Sequence, residues 1–306
     1  ELTEVKTGRV ILPNANEKMN WMPNSNKLYY TVVGKEQNDL VVFDPATMRE
    51  EVLLKNVPEG YFSWSPTEDY LIYMLTDEGE KVSGPLKRPL HPDDRIPNSR
   101  DRYYLMKYDV ATGLSERLTY GSHNVYLNDI SPDGKKLLCS TSKPDITRCP
   151  FSLSSLFEID LATLQADTLA AWDAYLGSAS YSPDGKQLLV TGSPSAFGGI
   201  GKNCGEHPIA NDFDTQAFIM DLATKKVQAI TRDFNPTVSP VQWNRVDGCI
   251  YFDTTDGDCR HIYRYVPKTG GFEMLPLEED VITSFTLAND NPVVAAYVGE
   301  ETPVRA

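Results

Sequence analysis

The chain writes nearly the same eleven residues twice: ISPDGKKLLCS from Ile130 to Ser140 and YSPDGKQLLVT from Tyr181 to Thr191. In S-P-D-G, proline presets the φ of a tight turn, aspartate bonds the backbone two residues on, and glycine takes the left-handed conformation that closes it. An apolar or aromatic residue stands before the turn and Leu-Leu follows it. That is strand, turn, strand, the signature of a β-hairpin.

Looser copies follow the same plan: WMPNSNKLYYT from Trp21, WSPTEDYLIYM from Trp64, WNRVDGCIYFD from Trp243 and a weak LANDNPVVAAY from Leu287. A second motif trails each of the first five. It reads LVVFDPATMREEVLL (40–54), YLMKYDVATGLSERLT (104–119), SLFEIDLATLQADTLA (155–170), AFIMDLATKKVQAIT (217–231) and IYRYVPKTGGFEMLP (262–276). Its core is an alternating apolar run, an Asp-x-Ala-Thr turn with side-chain-to-backbone bonds, and a second alternating run. Each unit is therefore two hairpins, or four short strands.

Four-stranded units recurring at a period of roughly 40 to 50 residues predict an all-β fold, a β-propeller. A β-sandwich has no reason to repeat its sequence. Five complete repeats are flanked by partial ones: 1–12 resembles a trailing half and 284–306 a leading half. The expectation is one domain over 1–306 with six blades, the sixth closed by strands from both ends so that no sheet edge is left open. Trp21, Trp64, Ile130, Tyr181 and Trp243 are expected at equivalent positions, packed between adjacent sheets. With Glu1 and no initiator Met at its start, the chain is expected to be a piece of something longer.

Spacing from the first motif to the second locates the insertions. It is 23 from Trp21 to Asp44 and 22 from Trp243 to Tyr265, but 45 from Trp64 to Asp109, 30 from Ile130 to Asp160 and 40 from Tyr181 to Asp221. Two inserted stretches stand out. Thr76 to Arg102 is charged and Pro-rich, without periodicity; Gly192 to Gln216 is rich in Gly and Asn. Long loops on a rigid scaffold are either decoration or functional contacts, and the turn chemistry in both favours contact. Arg95, Arg100 and Arg102 could clamp a substrate carboxylate in bidentate forks, or pair locally with Asp93, Asp94 and Asp101. Phe197 and Phe213 could pack against an apolar substrate side chain.

A hydrophobic content of 41 % suffices for a continuous core, and a net charge of −14 argues against nucleic acid or an anionic membrane as partner. No run is long enough for a membrane-spanning helix, so no membrane insertion is expected. The five cysteines are neither dense nor regular and read as free thiols or small core residues; with Asp256-Gly257 as a two-residue turn, Cys249 would face Arg264 and Cys259 would face Thr254.

Chemistry is sparse. GSASY at Gly177 lacks the second glycine of a serine-hydrolase elbow and falls on a predicted strand. The four histidines are scattered, and no metal-ligand spacing occurs. DTTDGD (253–258) reads as a solvated hairpin turn and FGGIGKN (197–203) as an inserted loop rather than a phosphate loop. The reading is no catalytic residue, no metal and no cofactor.

The repeats SPDGKKLL, SPDGKQLLV, YDVATGLSERLT and MDLATKKVQAITRDFNP resemble the propeller repeats of prolyl oligopeptidase-family serine peptidases, a group that includes dipeptidyl-peptidase IV and acylaminoacyl-peptidase relatives. DDRIPNSRDRYYLMKYDVATG and GSPSAFGGIGKN look like bacterial secreted members. The resemblance implies a propeller followed by an α/β-hydrolase domain that carries Ser, Asp and His and is absent from this chain. It implies a periplasmic or extracellular location, peptide substrates, and a propeller that gates access to the active-site chamber. Neither Glu50-Glu51 nor Glu278-Glu279 sits in an insertion like the amine-binding motif of dipeptidyl-peptidase IV relatives, so that role does not carry over. The periplasmic propeller of the Tol system shares S-P-D-G repeats, which makes a stand-alone binding or scaffold propeller the alternative.

Overall fold

The computed structural model describes residues 2–4, 9–12, 19–35, 37–58, 61–80, 89, 94, 98–205, 212–287 and 294–299. The chain folds into two compact units, 1–127 with 161–164, and 128–160 with 165–306.

The first unit holds a two-stranded sheet, β1 (Leu2–Glu4) with β2 (Arg9–Leu12), and two four-stranded antiparallel blades in chain order. One blade is β3 (Asn20–Trp21), β4 (Leu28–Val33), β5 (Asn38–Asp44) and β6 (Arg49–Leu54). The next is β7 (Phe62–Trp64), β8 (Tyr70–Asp77), β9 (Arg102–Asp109) and β10 (Ser115–Arg117). Met22, Leu40 and Leu54 of one blade pack on Trp64, Leu71 and Tyr108 of the other.

The third blade, β11 (Val125–Ile130), β12 (Lys136–Pro144), β13 (Ser152–Asp160) and β14 (Ala166–Asp173), has most of its residues in the second unit. The fourth is β15 (Leu176–Tyr181), β16 (Gln187–Gly192), β17 (Gln216–Asp221) and β18 (Val227–Ala229). The fifth is β19 (Thr237–Trp243), β20 (Ile250–Asp256), β21 (Cys259–Val266) and β22 (Gly271–Met274). A two-stranded sheet, β23 (Ile282–Leu287) with β24 (Val294–Gly299), follows. The five blades of four strands are the predicted repeats, and the architecture is that of a β-propeller. Among the described residues, the strands near each end form a two-stranded sheet, β1 with β2 and β23 with β24.

Side chains alternate faces along a strand, and in the fourth blade both faces find a core. Leu188, Val190, Phe218 and Met220 pack toward Leu138 and Leu156 of the third blade. Leu189, Ala217 and Ile219 pack toward Ile250, Phe252 and Tyr265 of the fifth. Central strands buried on two sides read as unbroken apolar runs rather than alternation, which is why QLLVT and AFIM look as they do. Each fully buried Leu, Ile or Phe is worth about 1.5–3 kcal/mol.

The repeat is carried by hydrogen bonds. The backbone N–H groups of Met22, Ser65, Ser131, Ser182 and Asn244 each donate to the carbonyl five residues on. In two turns the serine hydroxyl also donates to the S-P-D-G aspartate, Ser131 to Asp133 at 2.7 Å and Ser182 to Asp184 at 2.8 Å. Register places Trp21 opposite Leu28, Trp64 opposite Leu71, Tyr181 opposite Leu188 and Trp243 opposite Ile250. Trp64, Ile130 and Tyr181 are buried as expected, and Trp243 is half-buried. Trp21 is the exception, with 57 % of its surface exposed. The residue after it is Met22, where other blades have Ser or Asn, and Met22 is buried as those residues are. Tyr181 carries its hydroxyl inward to the buried Glu158 carboxylate at 2.8 Å, which also accepts from Lys136.

Two sequence boundaries move. Asp77 pairs with Arg102 across the β8–β9 ladder, so the insertion of the second blade is confined to 78–101. The β20–β21 turn is Gly257-Asp258, since Asp256 pairs with Cys259. Gly257 takes φ 63°, as the first residue of a II′-type hairpin turn requires. This one-residue shift places Cys259 opposite Asp256, not Thr254. All five cysteines are free.

Candidate functional site

The insertion of the fourth blade leaves the sheet at the paired residues Gly192 and Gln216. Ser193 and Ser195 both donate their hydroxyls to Asp212 Oδ1, at 2.9 and 2.5 Å, which ties the outgoing limb to the returning one. A tight turn, α1 (Ala196–Gly199), follows, in which Phe197, Gly198 and Gly199 take positive φ rather than right-handed helical geometry. Within it Phe197 sits at φ 54°, its N–H donating to Asp173 Oδ2 at 2.7 Å. That unusual backbone conformation turns the Phe197 ring inward, edge-on to Phe218 with centroids 5.3 Å apart. Gly201 then passes close over the sheet. A Cβ there would overlap Gln216 Oε1 and lie 3.1 Å from Phe218 Cζ and Pro194 Cα, so the close approach requires glycine.

Beyond Gly201 the insertion and the β18–β19 loop enclose a cavity of about 200 Å³, lined by residues that include Lys202, Cys204, Asp214, Gln216, Arg232 and Asp233. Gln216 is 8 % exposed, yet its Oε1 accepts no hydrogen bond. An unpaired buried acceptor costs about 1–3 kcal/mol. Beside it in sequence, burial pushes the half-buried Asp214 carboxyl above its usual range, against a lowering bond from Thr215 N–H. Arg232 donates Nε to the Lys202 carbonyl at 3.1 Å and so pins the cavity's two walls together. Phe234, half-buried on the same loop, stacks on Phe272 with centroids 4.3 Å apart. A larger cavity of about 690 Å³ in the first unit, bordered by Val33, Asn38, Asn56 and Tyr73, has no unpartnered buried polar side-chain atom among its described lining residues.

The side chains singled out in the sequence have varied fates. Arg95 lies outside the described residues. Arg100 forms a two-pronged fork with Asp94, Nε to Oδ1 at 3.0 Å and Nη2 to Oδ2 at 2.9 Å, and the Asp94 side chain is only 4 % exposed. Arg102 donates to the carbonyls of Ser99 and Asp101. Arg100 thus makes the local carboxylate pairing weighed above, whereas Arg102 is held by backbone carbonyls of its own loop. Phe213 is 99 % exposed, whereas Phe197 is part of the core of its blade. The arginines belong to the first compact unit and the phenylalanines to the second. Gln216 and Asp214 were not singled out. The one signal for Gln216 is a polar residue opening the run QAFIM, all five of which are buried.

DTTDGD is not a solvated turn throughout: Asp253 to Asp256 belong to β20, with Asp253 and Thr254 buried. GSASY lies on β15, and FGGIGKN forms the inserted turn after β16. Among the described residues no cluster of three or more His, Cys, Asp or Glu could hold a metal ion, and no helix is long and apolar enough to cross a membrane.

No protein-family model and no curated sequence matches the chain. Solved structures do. An oligogalacturonate lyase in complex with manganese superposes with a TM-score of 0.61 at 14 % identity, over 92 % of this chain and 69 % of that one. The acylaminoacyl peptidase of Pyrococcus horikoshii gives 0.59 at 12 % over 91 % of this chain, which spans only 40 % of that enzyme's length. The β-propeller domain of the Trilobed protease from Pyrococcus furiosus gives 0.56 at 14 %, over 92 % of this chain and 73 % of that one. A TolB-like structure from Agrobacterium tumefaciens is also similar. At such identities the likeness speaks to fold, and the fold is the β-propeller of four-stranded blades that the repeats predicted.

Proposed function

We propose that this chain is the propeller portion of a secreted serine exo- or oligopeptidase, a single domain over 1–306 that carries no catalytic residue itself. In this reading it gates a hydrolase chamber, and its inserted loops help to hold a peptide. Selection by access lets such an enzyme discriminate among substrates that pocket contacts alone separate poorly. The observation that carries the reading is the insertion of the fourth blade. It is packed, tied back to the sheet, and shaped around a polar cavity, as a contact loop needs to be and a decorative one does not. The likeness to the propeller of a protease and to part of an acylaminoacyl peptidase supports it. A periplasmic or extracellular setting, and an α/β-hydrolase domain as intramolecular partner, belong to the same proposal. A stand-alone binding or scaffold propeller is the second reading, favoured by the TolB-like match.

The test is a fluorophosphonate probe applied to the native gene product, with the labelled peptide mapped. The expected result is one labelled serine in a G-x-S-x-G sequence downstream of Ala306 and none within 1–306. A native product without such a serine overturns the peptidase reading in favour of the scaffold.

A further inference from the structure

The cavity of about 690 Å³ in the first unit lies within the size range of small-ligand sites. One wall is built from β8 and the β9–β10 hairpin, the other from the β4–β5 turn and the chain leaving β6. That second wall is tied to itself: Val57 N–H donates to the Asn38 carbonyl at 2.8 Å, and Gln37 Nε2 to Asp39 Oδ1 at 2.9 Å. On the first wall the Tyr73 hydroxyl donates to Ser115 Oγ at 3.0 Å. The Tyr73 oxygen can still accept there, and the Ser115 hydroxyl can still donate. Tyr108 is 7 % exposed, and its hydroxyl has no partner among the described residues, yet it is not sealed in. It stands beside Gly113 on the cavity wall, where a Cβ would lie 3.5 Å from it and meet nothing else within 4 Å.

The lining is unusually free of charge. Among its described residues only Lys35 is charged, and it is exposed, although charged residues make up 24 % of the chain. Gln37, Asn38 and Asn56 bring amides, each both donor and acceptor, beside the three hydroxyls. A cation finds no counter-charge in such a lining, and an anion finds one exposed lysine. An apolar ligand leaves the hydroxyls and amides unpaired. A peptide strand needs a ladder of main-chain groups, but the Gly34 N–H and the Asn38 carbonyl are already bonded within their own wall. A neutral polyol can pair with every group in both directions.

We propose that this cavity binds a neutral sugar, its hydroxyls pairing with Tyr108, Asn38 and Asn56. Gly113 keeps the approach to the Tyr108 hydroxyl clear. Its backbone conformation does not by itself demand glycine, since the matching positions of three other blades hold Met48, Leu164 and Lys225 at similar positive φ. Nor does the fold require the hydroxyl, because the residue matching Tyr108 is Phe43, Ile159 or Met220 in three blades and Tyr265 in the fifth. The proposal does not depend on the peptidase reading, since binding is measured on this chain with no hydrolysis involved.

The experiment titrates the chain calorimetrically with maltose, cellobiose and lactose, with D-glucuronate and D-glucosamine as charged analogues, and with N-acetyl-trialanine amide as a neutral peptide. At least one of the three disaccharides is expected to bind saturably, and the charged sugars and the peptide at least about tenfold more weakly. Tyr108→Phe is expected to weaken that binding by about tenfold, and Gly113→Leu, which fills the space at the hydroxyl, to abolish it. Both changes install residues that other blades carry at the same place. Asn56→Gly suits the positive φ of 55° at that position and removes the amide, and is expected to weaken binding as well. No saturable binding of any of the three disaccharides up to about 50 mM overturns the proposal. So does glucuronate, glucosamine or the peptide binding as tightly as the best disaccharide, or a folded Tyr108→Phe or Gly113→Leu variant that binds like the parent.

Discussion

At the scale of single residues, the repeat is written in left-handed backbone positions. The second motif places one such residue four positions after its first turn residue in every blade: Met48, Gly113, Leu164, Lys225 and Gly270, with φ between 56° and 70°. Two blades use glycine there and three do not. A side chain in this conformation costs roughly 1–2 kcal/mol, offset in part by the greater chain entropy that glycine loses on folding. Leu164 is exposed, so little packing is lost on its removal. Leu164→Gly is expected to raise stability by about 1 kcal/mol, read as a higher urea midpoint with an unchanged slope; a lower midpoint contradicts the strain argument. The turn aspartates titrate in a definite direction. Asp221 accepts from Thr224 Oγ1 at 2.7 Å and Thr224 N–H at 2.8 Å, and these bonds hold its carboxyl below the usual range; Thr112 does the same for Asp109. Their contribution is present above the unfolded carboxylate pKa of about 3.9 and is lost as pH falls through the lower, folded value. Asp221→Asn should therefore be less stable than the parent at neutral pH, with the gap closing in acid. A gap that is independent of pH would mean that the charge plays no part.

At the scale of elements, the insertion between β16 and β17 behaves as part of its blade. Phe197 is held by Asp173 and packs on Phe218, whereas Phe213, on the same insertion, is almost fully exposed. Phe197→Ala is expected to cost about 2–4 kcal/mol, somewhat less than a fully buried phenylalanine. Phe213→Ala is expected to stay within about 0.5 kcal/mol of the parent. Thermal and urea melts of the two variants side by side decide this; equal effects would show that the insertion is not a packed element.

At the scale of the whole molecule, each blade shares its core with a neighbour, so loops rooted on the blades are presented by a stiff base. If the chain is the gating portion of a peptidase, Phe213→Ala in the full-length enzyme should change the ratio of kcat/KM for a long peptide to that for a short one while stability stays put. An unchanged ratio removes Phe213 from substrate contact. The repeat and its hairpins were legible in the sequence because each hairpin is specified within about five residues, by proline, aspartate and a left-handed closer. The gap between the two motifs likewise located the insertions. What the side chains of those insertions meet depends on residues far away in sequence, and only the tertiary structure decided it. Arg100 reads as a substrate fork until its loop delivers Asp94 to it; Trp21 reads as core, yet more than half of its surface is exposed. Gln216 reads as an ordinary strand residue until Gly201 crosses above it. Local hydrogen bonding is encoded beside the atoms that make it, but burial is conferred by whatever the fold brings alongside.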